Sequence, residues 1–232
     1  MARLIAPHTL IKVGDLADLK PVDPSRPMPD WALTMLQQAP YVIVRRGPQD
    51  GVIPVGIRGY QKRQRFPALL PVERVTPDQL VTPQQVIANQ HLRQLAPDRL
   101  ALPAFQALQR ATAVLRDYHW GVGGSLQFEL VTGLPMANEN SDLDIIMDLP
   151  PQDLSVTQAR ALLQALNQTA AHADVQVVAG QDGFSLEEYA NHTSHTVMVK
   201  SAAGPLLTVD PWAYLRSHGR DDGTIAATGE TD

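Results

Sequence analysis

Apolar and polar positions along this chain fall into blocks of different period, and each block predicts an element. Tyr41-Val-Ile-Val-Arg-Arg46 and residues 52–58 are rich in β-branched side chains and read as two strands. Gly47-Pro-Gln-Asp-Gly51 between them reads as a hairpin loop. Pro54 places the second strand at a sheet edge or a bulge, because proline offers no N–H to a ladder. Before this hairpin the chain is punctuated by Pro7, Pro21, Pro24, Pro27, Pro29 and Pro40, so it is expected to be mostly extended. A short helix over residues 30–38 interrupts that stretch. Residues 59–65 read as a basic loop. Thr82, Pro83 and Gln85 form a helix start with a capping box, predicting a helix to about residue 95. Pro103 opens another helix, with Phe105, Leu108, Thr112, Leu115 and His119 on one stripe.

Beyond Trp120-Gly121 the period changes. Residues 126–132 alternate and predict a strand, 133–141 a long loop, and 142–149 a second strand. Residues 155–172 repeat apolar positions every three or four (Ala159, Leu162, Leu163, Leu166, Ala170), an amphipathic helix that Ser155 and Gln158 cap. Residues 174–178 predict a strand, 185–190 a short helix, and 196–200 and 206–210 two more strands. From residue 217 the chain is polar and expected to fray. No internal repeat is visible. The fold class is therefore α+β. The change near residue 80 divides it into a β-rich, basic domain (1–80), an α/β domain (81–216) and a flexible tail (217–232).

Composition narrows the setting. With 232 residues and 44% hydrophobic content, the chain can bury one large core or two small ones. Cysteine is absent, which removes disulfides and thiolate chemistry. No apolar run approaches the ~20 residues of a membrane span, and the first residues lack a signal peptide's apolar stretch. A soluble, cytoplasmic protein with no membrane partner is expected. The net charge of −5 hides an asymmetry. Residues 45–74 hold Arg45, Arg46, Arg58, Lys62, Arg63, Arg65 and Arg74 against Asp50 and Glu73. That is a local +5, leaving −10 elsewhere. Such a stripe suits one polyanionic ligand, with Arg46, Arg58, Lys62 and Arg63 as its contacts; a solvated hairpin face is the alternative. The acidic total and 5% aromatic content argue against nucleic acid as that ligand.

The densest chemistry lies in Trp120-Gly-Val-Gly-Gly-Ser125 and Ser141-Asp142-Leu-Asp144-Ile-Ile. A strand sends alternate side chains to opposite faces, so Asp142 and Asp144 share one face while Leu143, Ile145 and Met147 enter a core. Two carboxylates about 6–7 Å apart at Cα repel unless a cation sits between them. Mg²⁺ suits such oxygen donors, and Mn²⁺ is the alternative. Gly123, Gly124 and Ser125 can offer N–H groups and a hydroxyl to phosphate. Asp174 has two readings, a third ligand from the neighbouring strand or a turn after the helix. Ser125 lacks a Gly-x-Ser-x-Gly elbow, so it is not read as a nucleophile. His172, His192 and His195 lack zinc spacing and read as surface or core histidines, Glu129 alternates with Phe128 and Leu130 with a place near the site as its lesser reading, and Asp210 is expected to close a strand.

The order helix, Gly-Gly-Ser turn, strand, Asp-x-Asp strand, helix, Asp strand resembles the nucleotidyltransferase fold of the DNA polymerase beta type. More specifically, a series of motifs is similar to the malonate decarboxylase holo-acyl-carrier-protein synthases, also called phosphoribosyl-dephospho-CoA transferases. The series is Trp31, Arg45-Arg46, Pro54-Val-Gly-Ile-Arg-Gly59, Leu102-Pro-Ala104, Trp120-Gly121, Gly124-Ser125, Phe128-Glu-Leu130, Thr132-Gly133, Ser141-Asp-Leu-Asp144, Asp174-Val-Gln176 and Asp210-Pro-Trp212. The likeness spans residues 30 to 215. It implies a nucleotidyltransferase-like mixed sheet with flanking helices behind a smaller β-rich domain. It implies catalysis by Asp142, Asp144 and Asp174 with Mg²⁺, and phosphate contacts from the glycine turn. The implied reaction moves the prosthetic group of triphosphoribosyl-dephospho-CoA to a serine of the apo acyl-carrier subunit of malonate decarboxylase, releasing pyrophosphate. Two other readings stay open: a nucleotidyltransferase acting on tRNA, a small molecule or another protein, and a binding module that keeps the fold without the chemistry.

Overall fold

The computed structural model describes residues 4–89, 95–191 and 195–219. Among them the chain forms two six-stranded sheets and eight α-helices, an α+β protein. In the first sheet, β1 (Leu10–Lys12), β2 (Lys20–Pro21), β3 (Tyr41–Val44), β4 (Val52–Arg58), β5 (Arg65–Pro71) and β6 (Leu80–Val81) lie in the order β2-β5-β4-β3-β1-β6, all antiparallel. Helix α1 (Asp30–Gln38) buries Ala32, Met35 and Leu36 against this lobe and matches its expected span.

Pro54 needs a correction. It lies in β4, in the interior of the sheet, opposite Leu69. The N and O atoms of one strand residue face the same neighbour. Pro54 O accepts from Arg45 N at 2.8 Å, just past the end of β3 at Val44. The missing donor therefore falls where the ladder has already stopped. Strand β5 was not foreseen, because Pro67 and Pro71 interrupt its apolar run.

After the first sheet come α2 (Pro83–Ala88), α3 (Pro97–Leu100) and α4 (Pro103–Val114). The Thr82/Gln85 capping box is present, but α2 ends at Ala88; residues 90–94, where the expected helix continues, lie outside the described residues. On α4 the buried stripe is Ala104, Phe105, Ala107, Leu108 and Ala111; Thr112 and His119 are exposed.

The second sheet contains β7 (Trp120–Val122), β8 (Leu143–Asp148), β9 (Ala173–Ala179), β10 (Asp182–Ser185), β11 (Val197–Ser201) and β12 (Gly204–Thr208), in the order β12-β11-β10-β9-β8-β7. Only the β8–β9 pair is parallel. Helix α6 (Val156–Leu166) makes that crossover; its Ser155/Gln158 box is present, and it stops six residues short of the expected end. Helices α7 (Leu186–Asn191) and α8 (Pro211–His218) complete the lobe. Asp210 is not a strand residue: its carboxylate accepts from Ala213 N and caps α8. Of the expected frayed tail, Ser217 and His218 belong to α8, and residues 220–232 lie outside the described residues, as does His192. No described helix is long and apolar enough to cross a membrane.

The largest correction is at residues 126–132, which form helix α5 (Gly124–Thr132), not a strand. Leu126, Phe128 and Leu130 alternate with Gln127 and Glu129, which mimics a half-solvated strand. The polar pair is itself buried and bonded. Gln127 Nε2 donates to His8 O at 2.9 Å, and Glu129 meets Arg99. A helix buried all round shows no one-sided stripe.

The two lobes meet through this helix and through Arg46. Arg46 Nε donates to Gln181 O at 3.1 Å, and Nη1 faces His8 Nε2 at 3.4 Å. Gln181 Nε2 donates to Ile5 O at 3.0 Å. Burial, then Arg46 and Lys200, press the His8 pKa down to about 3, so this imidazole is neutral at the seam.

Candidate active site

Strand β8 sends alternate side chains to opposite faces, and Ile146 is buried on the same face as Asp144. Leu143, Ile145 and Met147 are fully buried in the main core, while Asp144 turns to the opposite face. Asp142 lies one residue ahead of the strand and is exposed. The parallel register sets Asp144 directly opposite Asp174 on β9. Asp144 and Asp174 thus come together at the start of two neighbouring strands, with Asp142 just ahead of the first. Asp148, farther along, is occupied elsewhere by Gln84 and His119.

Among the described residues the Asp144 carboxylate makes no hydrogen bond, and its charge is costly. Burial pushes its pKa above the ordinary 3.8, Asp174 and more weakly Asp142 push the same way, and Arg58 and Arg65 pull it back. Helix α5 begins against this carboxylate. Gly124 has φ +62°, and a Cβ there would lie 1.7 Å from Asp144 Oδ2. The turn also forms a close junction elsewhere: a Cβ on Gly121 would meet Pro83 C at 2.0 Å. The N–H groups of the first residues of α5, Gly124, Ser125 and Leu126, have no intrahelical acceptor, and its N-cap residue Gly123 makes no side-chain cap. Gly123 N is used by Asp144 O at 2.9 Å. Ser125 is buried.

Facing this corner is a cavity of about 350 Å³ between the first sheet and α5. Gly124 and Phe128 line one side, Leu10, Ile43 and Phe66 another, and Arg45, Arg58 and Arg65 supply charge. Arg58 and Arg65 are direct cross-strand partners. Like charges in that position repel, and burial and Arg65 lower the Arg58 pKa while Asp144 raises it. The arrangement is electrostatically short of anions on the β-lobe side and short of cations on the Asp side.

The basic residues named from sequence divide accordingly. Arg58 lines the cavity; Arg46 is at the lobe seam; Lys62 and Arg63 are exposed in the β4–β5 turn, where Arg63 Nε bonds Gln61 Oε1 at 2.8 Å. Arg45 and Arg65 were not singled out. Recognising β5 would have revealed Arg65, because the hairpin register pairs it with Arg58.

Among the described residues no three His, Cys, Asp or Glu side chains are gathered as a ready metal cage. The donors nevertheless fit a hard divalent ion. They are all carboxylate oxygens, the Asp144 carboxylate has no hydrogen-bond donor among the described residues, and Mg²⁺ commonly takes one or two carboxylates with water and substrate phosphate supplying the rest.

Behind the acids, a clamp fixes the loop that feeds β8. Glu129, 1% exposed, receives Arg99 Nε at 2.7 Å and Nη2 at 2.9 Å, and also Ala137 N at 2.8 Å. Arg99 Nη2 bonds Ala137 O at 2.7 Å. Glu129→Ala is expected to lower stability by roughly 2–3 kcal/mol in urea unfolding, below a fully dry pair because Arg99 keeps some water. A change under ~0.5 kcal/mol would remove the clamp from the account.

Comparison with known proteins adds an independent line. Residues 6–78 match the family model described as phosphoribosyl-dephospho-CoA transferase MdcG N-terminal domain, and residues 89–211 match that of the C-terminal domain. A Pseudomonas syringae pv. tomato protein named phosphoribosyl-dephospho-CoA transferase is 35% identical over 91% of this chain and 95% of its own length. A similarly named Pseudomonas fluorescens Pf-5 protein is 36% identical over 79% of this chain and 85% of its own. One from Klebsiella pneumoniae 342 is 29% identical over 89% and 95%. No solved structure matches.

Proposed function

The chain belongs to the phosphoribosyl-dephospho-CoA transferase family, and on that premise we propose how its residues carry out the transfer. The donor is triphosphoribosyl-dephospho-CoA and the acceptor a serine of the apo acyl-carrier subunit of malonate decarboxylase. The second lobe works as a nucleotidyltransferase-like unit. The observation that supports this most directly is the Asp144–Asp174 pair, set opposite each other with Gly124 packed onto the Asp144 carboxylate.

The serine oxygen attacks the α-phosphorus, the bond to the bridging oxygen breaks, and pyrophosphate leaves with that electron pair. A phosphodiester results. Such transfers need alignment and charge neutralisation more than covalent catalysis. Asp142, Asp144 and Asp174 would hold Mg²⁺ or Mn²⁺, which supplies Lewis acidity at the phosphate and favours the ionised hydroxyl. Asp174 receives the serine proton. Arg58 and Arg65 neutralise the departing phosphates, and the free N–H groups of Gly124 and Ser125 orient them. The apolar walls of the cavity hold the uncharged part of the donor.

Incubation with triphosphoribosyl-dephospho-CoA and apo-carrier should raise the carrier's mass by one phosphoribosyl-dephospho-CoA group, and radiolabelled ATP should leave it unlabelled. Labelling from ATP alone would instead establish a general nucleotidyltransferase. Arg58→Ala should raise the donor KM about tenfold or more with a smaller change in kcat, since one charge-assisted contact contributes about 1.5–3 kcal/mol. Equal donor affinity by calorimetry would put the phosphates elsewhere.

A further inference from the structure

One cross-strand row of the first sheet walls the cavity, and the row has a gap. Leu10 opposes Ile43, Ile43 opposes Gly56, and Gly56 opposes Pro67; all four line the cavity. The core of this lobe takes the alternate residues Val55 and Ile57. Glycine weakens a strand interior, and its presence there often marks a close approach by something else. Gly56 does not have the left-handed φ that would demand glycine, and a Cβ there would meet nothing closer than 3.4 Å. The backbone would accept a side chain at this position. What the glycine supplies is space: Ile43 and Pro67 stand two strand spacings apart, roughly 10 Å between Cα atoms, with a notch between them.

Cations stand at both ends of the notch. Two positions along β4 is Arg58, opposite Arg65, and both are close enough to Asp144 to pull its pKa down. Two positions the other way is Pro54, whose O accepts from Arg45 N. Arg45 leans back toward the glycine, its Cδ 3.4 Å from the Cβ position of Gly56. Arg45 is exposed, lines the cavity, and has no ion-pair partner among the described residues. From residue 58 to residue 54 the strand covers about 13 Å. Among the described residues no neutral hydrogen-bonding side chain lines the cavity. An arm carrying amides would lose hydrogen bonds there, whereas a flat ring buries apolar faces and keeps its polar edge at the rim.

We propose that the notch over Gly56 seats the adenine of the donor, with Arg45 binding the diphosphate of the pantetheine arm while Arg58 and Arg65 hold the triphosphate. This rests on the transfer reading above. Dephospho-CoA is an adenosine whose 5′-diphosphate leads to pantetheine, and the triphosphoribosyl group is a second anionic arm on the same nucleoside. A ring between two phosphate-bearing arms matches a gap between two sets of arginines. The pantetheine beyond exposed Arg45 runs out to solvent. Gly56 is then a specificity residue: a side chain there fills the seat of the ring and leaves the phosphate contacts at Arg58 and Arg65 in place.

The test titrates the full chain with two probes by calorimetry: dephospho-CoA, which lacks the triphosphoribosyl arm, and inorganic tripolyphosphate, which lacks the ring. Gly56→Val and Arg45→Ala should each weaken dephospho-CoA about tenfold or more and leave tripolyphosphate affinity at the wild-type value. Arg58→Ala should do the reverse. Melting temperatures of the first two variants should match wild type; should Gly56→Val fail to fold, Gly56→Ala, whose methyl has room, takes its place beside Arg45→Ala. Dephospho-CoA binding that is absent in wild type, or indifferent to both substitutions, would overturn the seat even if wild type transfers the group to the carrier. If wild type binds dephospho-CoA in a Gly56- and Arg45-dependent way but transfers nothing, the seat stands and the proposed reaction falls.

Discussion

Gly124→Ala should yield a folded protein with transfer activity reduced at least a thousandfold. The left-handed φ of +62° costs an L-residue about 1–2 kcal/mol. That strain alone does not inactivate. The decisive effect is contact, because the new methyl would sit 1.7 Å from Asp144 Oδ2 and 2.7 Å from its Cγ. Strand β8 is held by ladders to β7 and β9 and cannot retreat. The carboxylate must rotate away from Asp174, or α5 must lift from the sheet. Two neighbours separate these causes. Gly133→Ala carries similar strain (φ +74°) with nothing within 4 Å, and should cost stability without abolishing turnover. Gly123→Ala has an ordinary extended φ and contacts no closer than 3.4 Å, so it should be mild. Near-normal turnover by Gly124→Ala would show that Asp144's present orientation is not the working one.

Asp144→Asn should also abolish turnover, and it should stabilise the metal-free fold. The folded-state pKa of Asp144 is raised, so between the ordinary 3.8 and that higher value the native chain holds a proton the unfolded chain has lost. Stability therefore falls as pH rises through this window, and the deficit persists above it. Asparagine removes that segment of the pH profile. In buffer containing a chelator, the variant should melt higher than wild type at pH 7, with little difference at pH 3. Added Mg²⁺ should raise the wild-type melting temperature and leave the variant less affected. A variant that melts below wild type at pH 7 would mean that Asp144 is stabilised by a partner, against the electrostatic account; retained turnover would exclude its catalytic role.

The acids could be placed from sequence because β8 obeys a simple rule. Leu143, Ile145 and Met147 needed a core, which left Asp144 no other face; Asp142, expected on the same strand, lies one residue ahead of it. Asp174 kept two readings, and only the parallel β8–β9 register sets it on the neighbouring strand opposite Asp144. The helix at Gly124 could not be read this way. Gln127 and Glu129 look solvated until His8 and Arg99, both distant in sequence, are seen to satisfy them. The basic stripe had the same limitation: charge density gives no direction, and only the hairpin register separates Arg58 and Arg65 at the cavity from Arg46 at the seam and Lys62 and Arg63 in water. Pro54 misled because its effect depends on where the neighbouring strand ends.

The seam itself has a practical consequence. Its contacts include neutral amides and main-chain oxygens (Gln127 to His8, Gln181 to Ile5, an uncharged His8) around the partly buried Arg46 guanidinium, which donates to Gln181 O and feels the charge of Asp182. Dissolved ions screen exposed charges far more than buried ones, and do not screen amide hydrogen bonds. Raising ionic strength should thus wash a phosphate-rich donor from the arginine-lined cavity while the two halves of the molecule remain joined.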